Sequence, residues 1–217
     1  MYGKLQRISR VLLVLAALSL LPAFFLPLWS YGFSALQYPE GLMMWIYANH
    51  ISGRIDLINE LNHYIGMREI VESGFPELKI IPVLLALLII LAIGIALAGG
   101  LRSLLVWQSL FAIVGLGLLG DFYHWLYVYG HDLDPHAAIK IPPFTPHLIG
   151  AYTFLNFHIM AWPDWGAFAM VFSFVLGGIA LVWELAHLSA RASLSVSGVA
   201  EVGRPQDRTQ RRSNFSQ

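Results

Sequence analysis

With 217 residues, 57% of them hydrophobic and only 12% charged, the chain falls well short of the ~25% charged residues of a soluble domain. Thirteen basic and thirteen acidic residues cancel, which argues against a nucleic-acid partner. The absence of cysteine excludes disulfides, thiolate metal sites, iron–sulfur clusters and covalently attached haem, so any metal must be held by His, Met, Asp, Glu or backbone oxygen.

Four apolar stretches approach the ~20 residues that cross ~30 Å of hydrocarbon. The first, residues 8–29, follows Lys4, Arg7 and Arg10. It resembles a signal sequence, but its apolar core is too long and no small-x-small cleavage site follows. It reads as an uncleaved helix, kinked near Pro22 and Pro27. A moderately polar segment, 30–79, comes next. Within it Ile55, Ile58, Leu61 and Ile65 fall on one stripe of a helix that Gly66 would end. That stripe needs an apolar partner, because a short isolated helix is marginal in water. The second span is 80–98, closed by Gly99-Gly100, and the third is 103–120, extending as a helix toward Tyr129. The segment 121–164 is rich in aromatics and prolines. There Thr145-Pro146 reads as a helix start, so His147–Trp162 is expected to be a helix lying on the membrane or dipping into it. The fourth span is 165–188, and the Ser-, Gly- and Arg-rich tail 191–217 reads as disordered.

The expected fold is therefore an all-α integral membrane protein with four spans and two partly helical loops. Nine Lys and Arg fall on one side and four, Arg54, Arg68, Lys79 and Lys140, on the other. The positive-inside rule places both termini in the cytoplasm and both loops outside. A bacterial or archaeal cytoplasmic membrane is the expected location.

Seven of the eight histidines then lie on the outer side. Imidazole is the commonest metal ligand and titrates near neutral pH. Asp121 and His124 share a helix face if the third helix continues, so the carboxylate would orient the imidazole. His131, Asp132, Asp134 and His136 follow in a turn expected at Gly130. With His63 from the first loop, the set Asp121, His124, His131 and His136 is the main candidate for a metal site. The plain alternative is a polar interfacial loop whose acids and imidazoles cap helices and bind water. Asp121 is singled out because ionisable groups near the bilayer edge are costly to keep there. Secondary candidates are His50, Asn59, Met67, Asp132, Asp134, His147 and His158. Imidazole with thioether suits copper, although methionine is equally an ordinary gap-filler. His147 and His158, eleven residues apart, would face one way on a continuous helix, roughly 16 Å apart along it. The run Gly115-Leu-Gly117-Leu-Leu-Gly120 matches a dinucleotide fingerprint by letter only. It lacks the preceding strand and reads as small residues for helix packing.

The stretches Tyr38-Pro-Glu-Gly41-Leu42, Asn49-His50-Ile-Ser-Gly53 and Ile58-Asn59-Glu-Leu-Asn62-His63-Tyr64-Ile65-Gly66-Met67 resemble uncharacterised integral membrane proteins that accompany nitrous-oxide-reductase clusters and copper-handling accessory proteins. Asp134-Pro135-His136 and Lys140-Ile-Pro142-Pro143-Phe144 are consistent with that group. The resemblance implies a role beside an extracytoplasmic copper enzyme. The expected function is a non-enzymatic, outward-facing accessory protein that handles copper for such a metalloenzyme. The alternatives are a redox or quinone-site subunit using His124 and His158, and a structural subunit without cofactor.

Overall fold

The computed structural model describes residues 4–202, with side chains described as far as Ala190. Helix α1 runs Arg7–Ser19, α2 Ile55–Ile65, α3 Glu77–Ala98, α4 Leu101–His131 and α5 Trp165–Val202; strands β1 to β5 are Trp29–Ala35, Tyr38–Ile46, Ile51–Gly53, Gly150–Phe154 and Phe157–Pro163. Four helical stretches are long and apolar enough to cross a membrane: Arg7–Phe24, Glu77–Ala98, Leu101–His131 and Trp165–Ala190. Their surfaces carry exposed large apolar side chains such as Val83, Ile90, Leu97, Val106, Ile113, Leu116 and Val182. A belt of this kind calls for an apolar solvent.

The all-α expectation is corrected: the two long segments meet in one five-stranded antiparallel sheet of order β3-β2-β1-β5-β4. Strand β1 pairs with both β2 and β5, with Trp29 opposite Ile46 on one side and Pro163 on the other. The first span accordingly ends earlier than expected. After α1 the chain tightens into a 3-10 turn, Leu21–Phe24, with Pro22 near its start. Trp29 already belongs to the sheet. Residues 147–162 are not a helix but most of a hairpin. Pro146 does not open a helix either; its ring packs on α4 beside Gly130. Helix α5 continues through Val202, beyond the expected start of a disordered tail, and residues 203–217 lie outside those described.

The helical core centres on Leu13, Leu20, Leu85, Leu88, Leu104 and Trp107. Buried polar groups there are mostly partnered. The Trp107 indole donates to the Leu88 carbonyl at 2.9 Å, and the Ser173 hydroxyl to the Ala16 carbonyl at 2.8 Å. Glu184 is buried and accepts the Gln6 backbone N–H at 2.6 Å. A carboxylate there complements the positive end of α1.

A second core lies under the sheet, built from Trp29, Tyr31, Leu42, Met44, Ile58, Leu126, Ile159 and Ala161. The apolar stripe of α2 thus finds its partner on the sheet and on α4, as a short amphipathic helix must. Gly66 ends α2 in the left-handed region, with φ of 78°. The Met67 N–H returns to the Asn62 carbonyl at 2.9 Å, the pattern of a glycine C-cap. Gly66 also carries the 132–139 loop: its carbonyl accepts the Asp134 N–H at 2.8 Å.

Candidate functional site: an apolar cleft beside the sheet

Helix α4 has 31 residues, about 46 Å at 1.5 Å per residue. That exceeds the ~30 Å of a bilayer core, and its last turns pack under the sheet, with Leu126 in the sheet core and Phe122 packed against it. Between the helices and the sheet lies a cleft of about 960 Å³, walled by α3, α4 and α5 in its lower part and by the sheet and α2 above.

The lower part has a definite depth. On α4 it reaches Phe111, ten residues below Asp121, and on α5 it reaches Phe174, nine residues below Trp165. Ten and nine helical residues rise about 15 Å and about 14 Å, half of a ~30 Å hydrocarbon core. The lower cleft therefore matches one leaflet. The upper part continues under the sheet along Trp29, Tyr31, Phe33 and Tyr152 to Leu155 and Phe157. Leu155 is the one non-glycine residue with positive φ, 53°, among the described residues. It sits at the β4–β5 turn, where a side chain costs strain.

Most polar groups in the wall are already engaged. Tyr31 Oη donates to the His147 carbonyl at 2.9 Å, and Trp29 Nε1 to the Leu148 carbonyl at 2.9 Å. Tyr129 Oη donates to the Glu69 carbonyl at 3.0 Å. Asn62 Nδ2 donates to the Arg68 carbonyl at 3.3 Å. Burial raises the Tyr31 phenol above its ordinary range and pushes Tyr152 up to about 12. Both stay neutral and act as walls rather than bases. Two carboxylates remain, Glu77 and Asp121, both lining the cleft.

The residues expected to form a metal site are distributed differently. None of the histidines lines the cleft. His124 is exposed on α4, next to the Trp125 ring. His131 ends α4; its ring stacks on Tyr127 at 3.8 Å, and its Nδ1 donates to the Tyr127 carbonyl at 2.9 Å. Gly130 is not a turn but a helical residue against which Phe144 closes. Asp132 pairs with Arg68. His136 donates its backbone N–H to Asp134 Oδ1 at 2.8 Å, with its ring Nδ1 at 3.3 Å from the same oxygen. That backbone donor, helped by the His136 ring and more distantly by His63, holds the Asp134 carboxyl below its usual range. Asp134 and His136 thus sit together, while Asp121 belongs to the cleft.

Of the secondary candidates, His50 stacks on Tyr47. Asn59 is bound to the Ile70 backbone through both ends of its amide, at 3.1 and 2.7 Å. Met67 lines the cleft. His147 and His158 are separated, His147 ahead of β4 and His158 within β5 beside Thr153 at 3.5 Å. Among the described residues, no three His, Asp or Glu side chains come together as a metal-holding group.

No family model matches the chain, and no curated protein or solved structure is similar to it.

Glu77 was overlooked in the sequence, although the signal that marked Asp121, an acid at the edge of an apolar span, applies to it equally. Gly115, Gly117 and Gly120 meet nothing within 4 Å where a Cβ would stand. They do not bring two helices together; Gly115 instead smooths the wall of the cleft.

Proposed function

We propose that this is a membrane protein that binds a membrane-resident amphiphile, a lipid or lipid-like molecule, in the cleft between its spans and its extracytoplasmic sheet. The observation that carries the reading is the shape of that cleft. It is apolar, one leaflet deep, and continuous with an apolar chamber beneath the sheet. Ligand sites are mainly apolar concavities with a few placed polar groups, and this one adds two carboxylates at the depth where lipid head groups begin. A chain entering from the outer leaflet would exchange lipid contacts for contacts with Met170, Val171 and Phe174. Its head-group end would lie beneath the sheet, partly shielded from water.

The test is to purify the protein in mild detergent and identify amphiphiles that co-purify by mass spectrometry of the intact complex. Gly115 lines the cleft and a Cβ there meets nothing within 4 Å, so Gly115→Phe adds bulk at the cleft wall. Retained amphiphile in the parent and at least a tenfold loss in this variant are expected. An empty parent protein, or equal retention in both, would overturn the reading.

Copper handling beside a metalloenzyme is the second reading, favoured by the contact of the His136 ring with the Asp134 carboxylate, with the charge of His63 acting on the same carboxylate. Copper analysis of the purified protein decides it: stoichiometric copper that falls in His63→Ala and His136→Ala supports it, and metal-free protein sinks it.

A further inference from the structure

Building on the amphiphile reading of the cleft, we infer that its occupant carries a cationic, ammonium-type head group, held by Glu77 and Asp121 against the rings of Phe75, Trp125 and Tyr129. All five residues line the cleft. Glu77 opens α3, and Asp121 lies twenty residues along α4 from Leu101. At about 1.5 Å per residue, both stand about 30 Å from the far ends of their helices, at the sheet-side edge of the hydrocarbon.

The two carboxylates are near enough to feel each other's charge, and the Trp125 side chain is within hydrogen-bonding reach of Glu77. Neither takes part in an ion pair among the described residues. The cations nearby are committed or turned away. Arg68 is paired with Asp132. Lys79 is exposed and, two residues past Glu77, lies roughly 200° round α3. Two like charges facing an apolar cleft repel each other unless a cation is shared between them.

Three features favour an organic ammonium over the other cations. A metal ion would want further strong ligands, and no third His, Asp or Glu joins the pair among the described residues. The adjoining wall is aromatic: Phe75 lies 4.9 Å from Trp125 and 6.1 Å from Tyr129, centroid to centroid. Ring faces attract alkylammonium groups, which hold their charge on a partly apolar body. The cleft below is apolar for one leaflet's depth, so the cation arrives with a hydrocarbon chain attached. An anionic head would meet two carboxylates and, among the described residues that line the cleft, no Lys or Arg.

The experiment uses three probes of equal chain length on the full chain in a neutral maltoside detergent: an alkyltrimethylammonium, the alkyl alcohol and the alkyl sulfate. Binding is read by mass spectrometry of the intact complex. The ammonium probe should bind about tenfold more tightly than the alcohol, and the sulfate should bind least. Glu77→Gln with Asp121→Asn should erase that preference and leave alcohol binding unchanged. Equal binding of ammonium and alcohol by the parent would overturn the head-group inference while leaving the amphiphile reading intact, and that comparison needs no variant. Preference retained in the double variant would also overturn it. Failure of every probe to bind would remove both.

Discussion

Gly115 and Gly130 sit on the same helix, yet replacing each with alanine should change stability in opposite directions. At Gly130 a Cβ would run into the carbonyl of Phe144 and crowd the Pro146 ring. The segment would have to retreat, lengthening the 3.0 Å hydrogen bond from the Phe144 N–H to the Gly130 carbonyl. A lost hydrogen bond costs about 1 kcal/mol and overpacking about 1–3 kcal/mol, so Gly130→Ala should destabilise by roughly 2–4 kcal/mol. At Gly115 a Cβ meets nothing. Only the helical preference for alanine acts there, a gain of up to about 1 kcal/mol. Thermal unfolding in one detergent measures both. For a chain of this size about 1 kcal/mol moves Tm by roughly 2–4 °C, so Gly130→Ala should melt roughly 5–15 °C lower while Gly115→Ala melts at or slightly above the parent. Equal midpoints would mean that Phe144 does not close on α4, and the upper wall of the cleft would have to be redrawn.

The buried tyrosines give a pH prediction. A phenol whose folded pKa is raised contributes stability that is complete below the unfolded value of about 10 and disappears as pH rises through the folded value. With Tyr31 raised and Tyr152 at about 12, the protein should lose stability from about pH 10 upward. Tyrosinate absorbance should show these two phenols ionising after the exposed ones, and a single shared transition near the free value would contradict their burial. Reporter fusions at Gly74 and Lys140 should both be active only in an extracytoplasmic assay, as the distribution of Lys and Arg demands. A cytoplasmic signal at either would reverse the orientation.

The spans were legible because length and apolarity alone define them. Helix α2 was legible because Ile55, Ile58, Leu61 and Ile65 keep the helical period and Gly66 supplies the stop. The sheet was hidden for reasons visible in its strands. In β5 the inward Ile159 and Ala161 alternate with His158, Met160 and Trp162, so both faces read as largely apolar and the period of two is lost. The β4–β5 turn uses Leu155-Asn156 where Asn-Gly would announce a hairpin. The second partner of β1, β5, lies more than a hundred residues downstream, beyond the reach of local pattern. The cleft was hidden differently. No motif encodes it, because its wall is assembled from apolar residues on helices and strands throughout the chain. Its two carboxylates alone carry a signal, the electrostatic cost of an acid at the edge of an apolar span, which marks Asp121 and applies equally to Glu77. Histidines drew the eye as the residues with the richest chemistry, but strand alternation and helix phase turned them toward solvent and their own neighbours.

The central position of β1 has a consequence for biosynthesis. Its second neighbour, β5, is the strand that leads into the last span. From the time Ala35 emerges, about 120 more residues must be made before β5 exists, roughly 6–24 s at 5–20 residues per second. Throughout that interval one edge of β1 is unpaired, with Trp29, Tyr31 and Phe33 beside it, a strand edge open to foreign pairing. The sheet can close only after α3 and α4 have been threaded and α5 is entering the membrane. Sheet completion thus reports that the chain has been fully inserted. A protein stalled before its last candidate span would present that edge to whatever quality-control machinery patrols the side of the membrane on which the sheet forms.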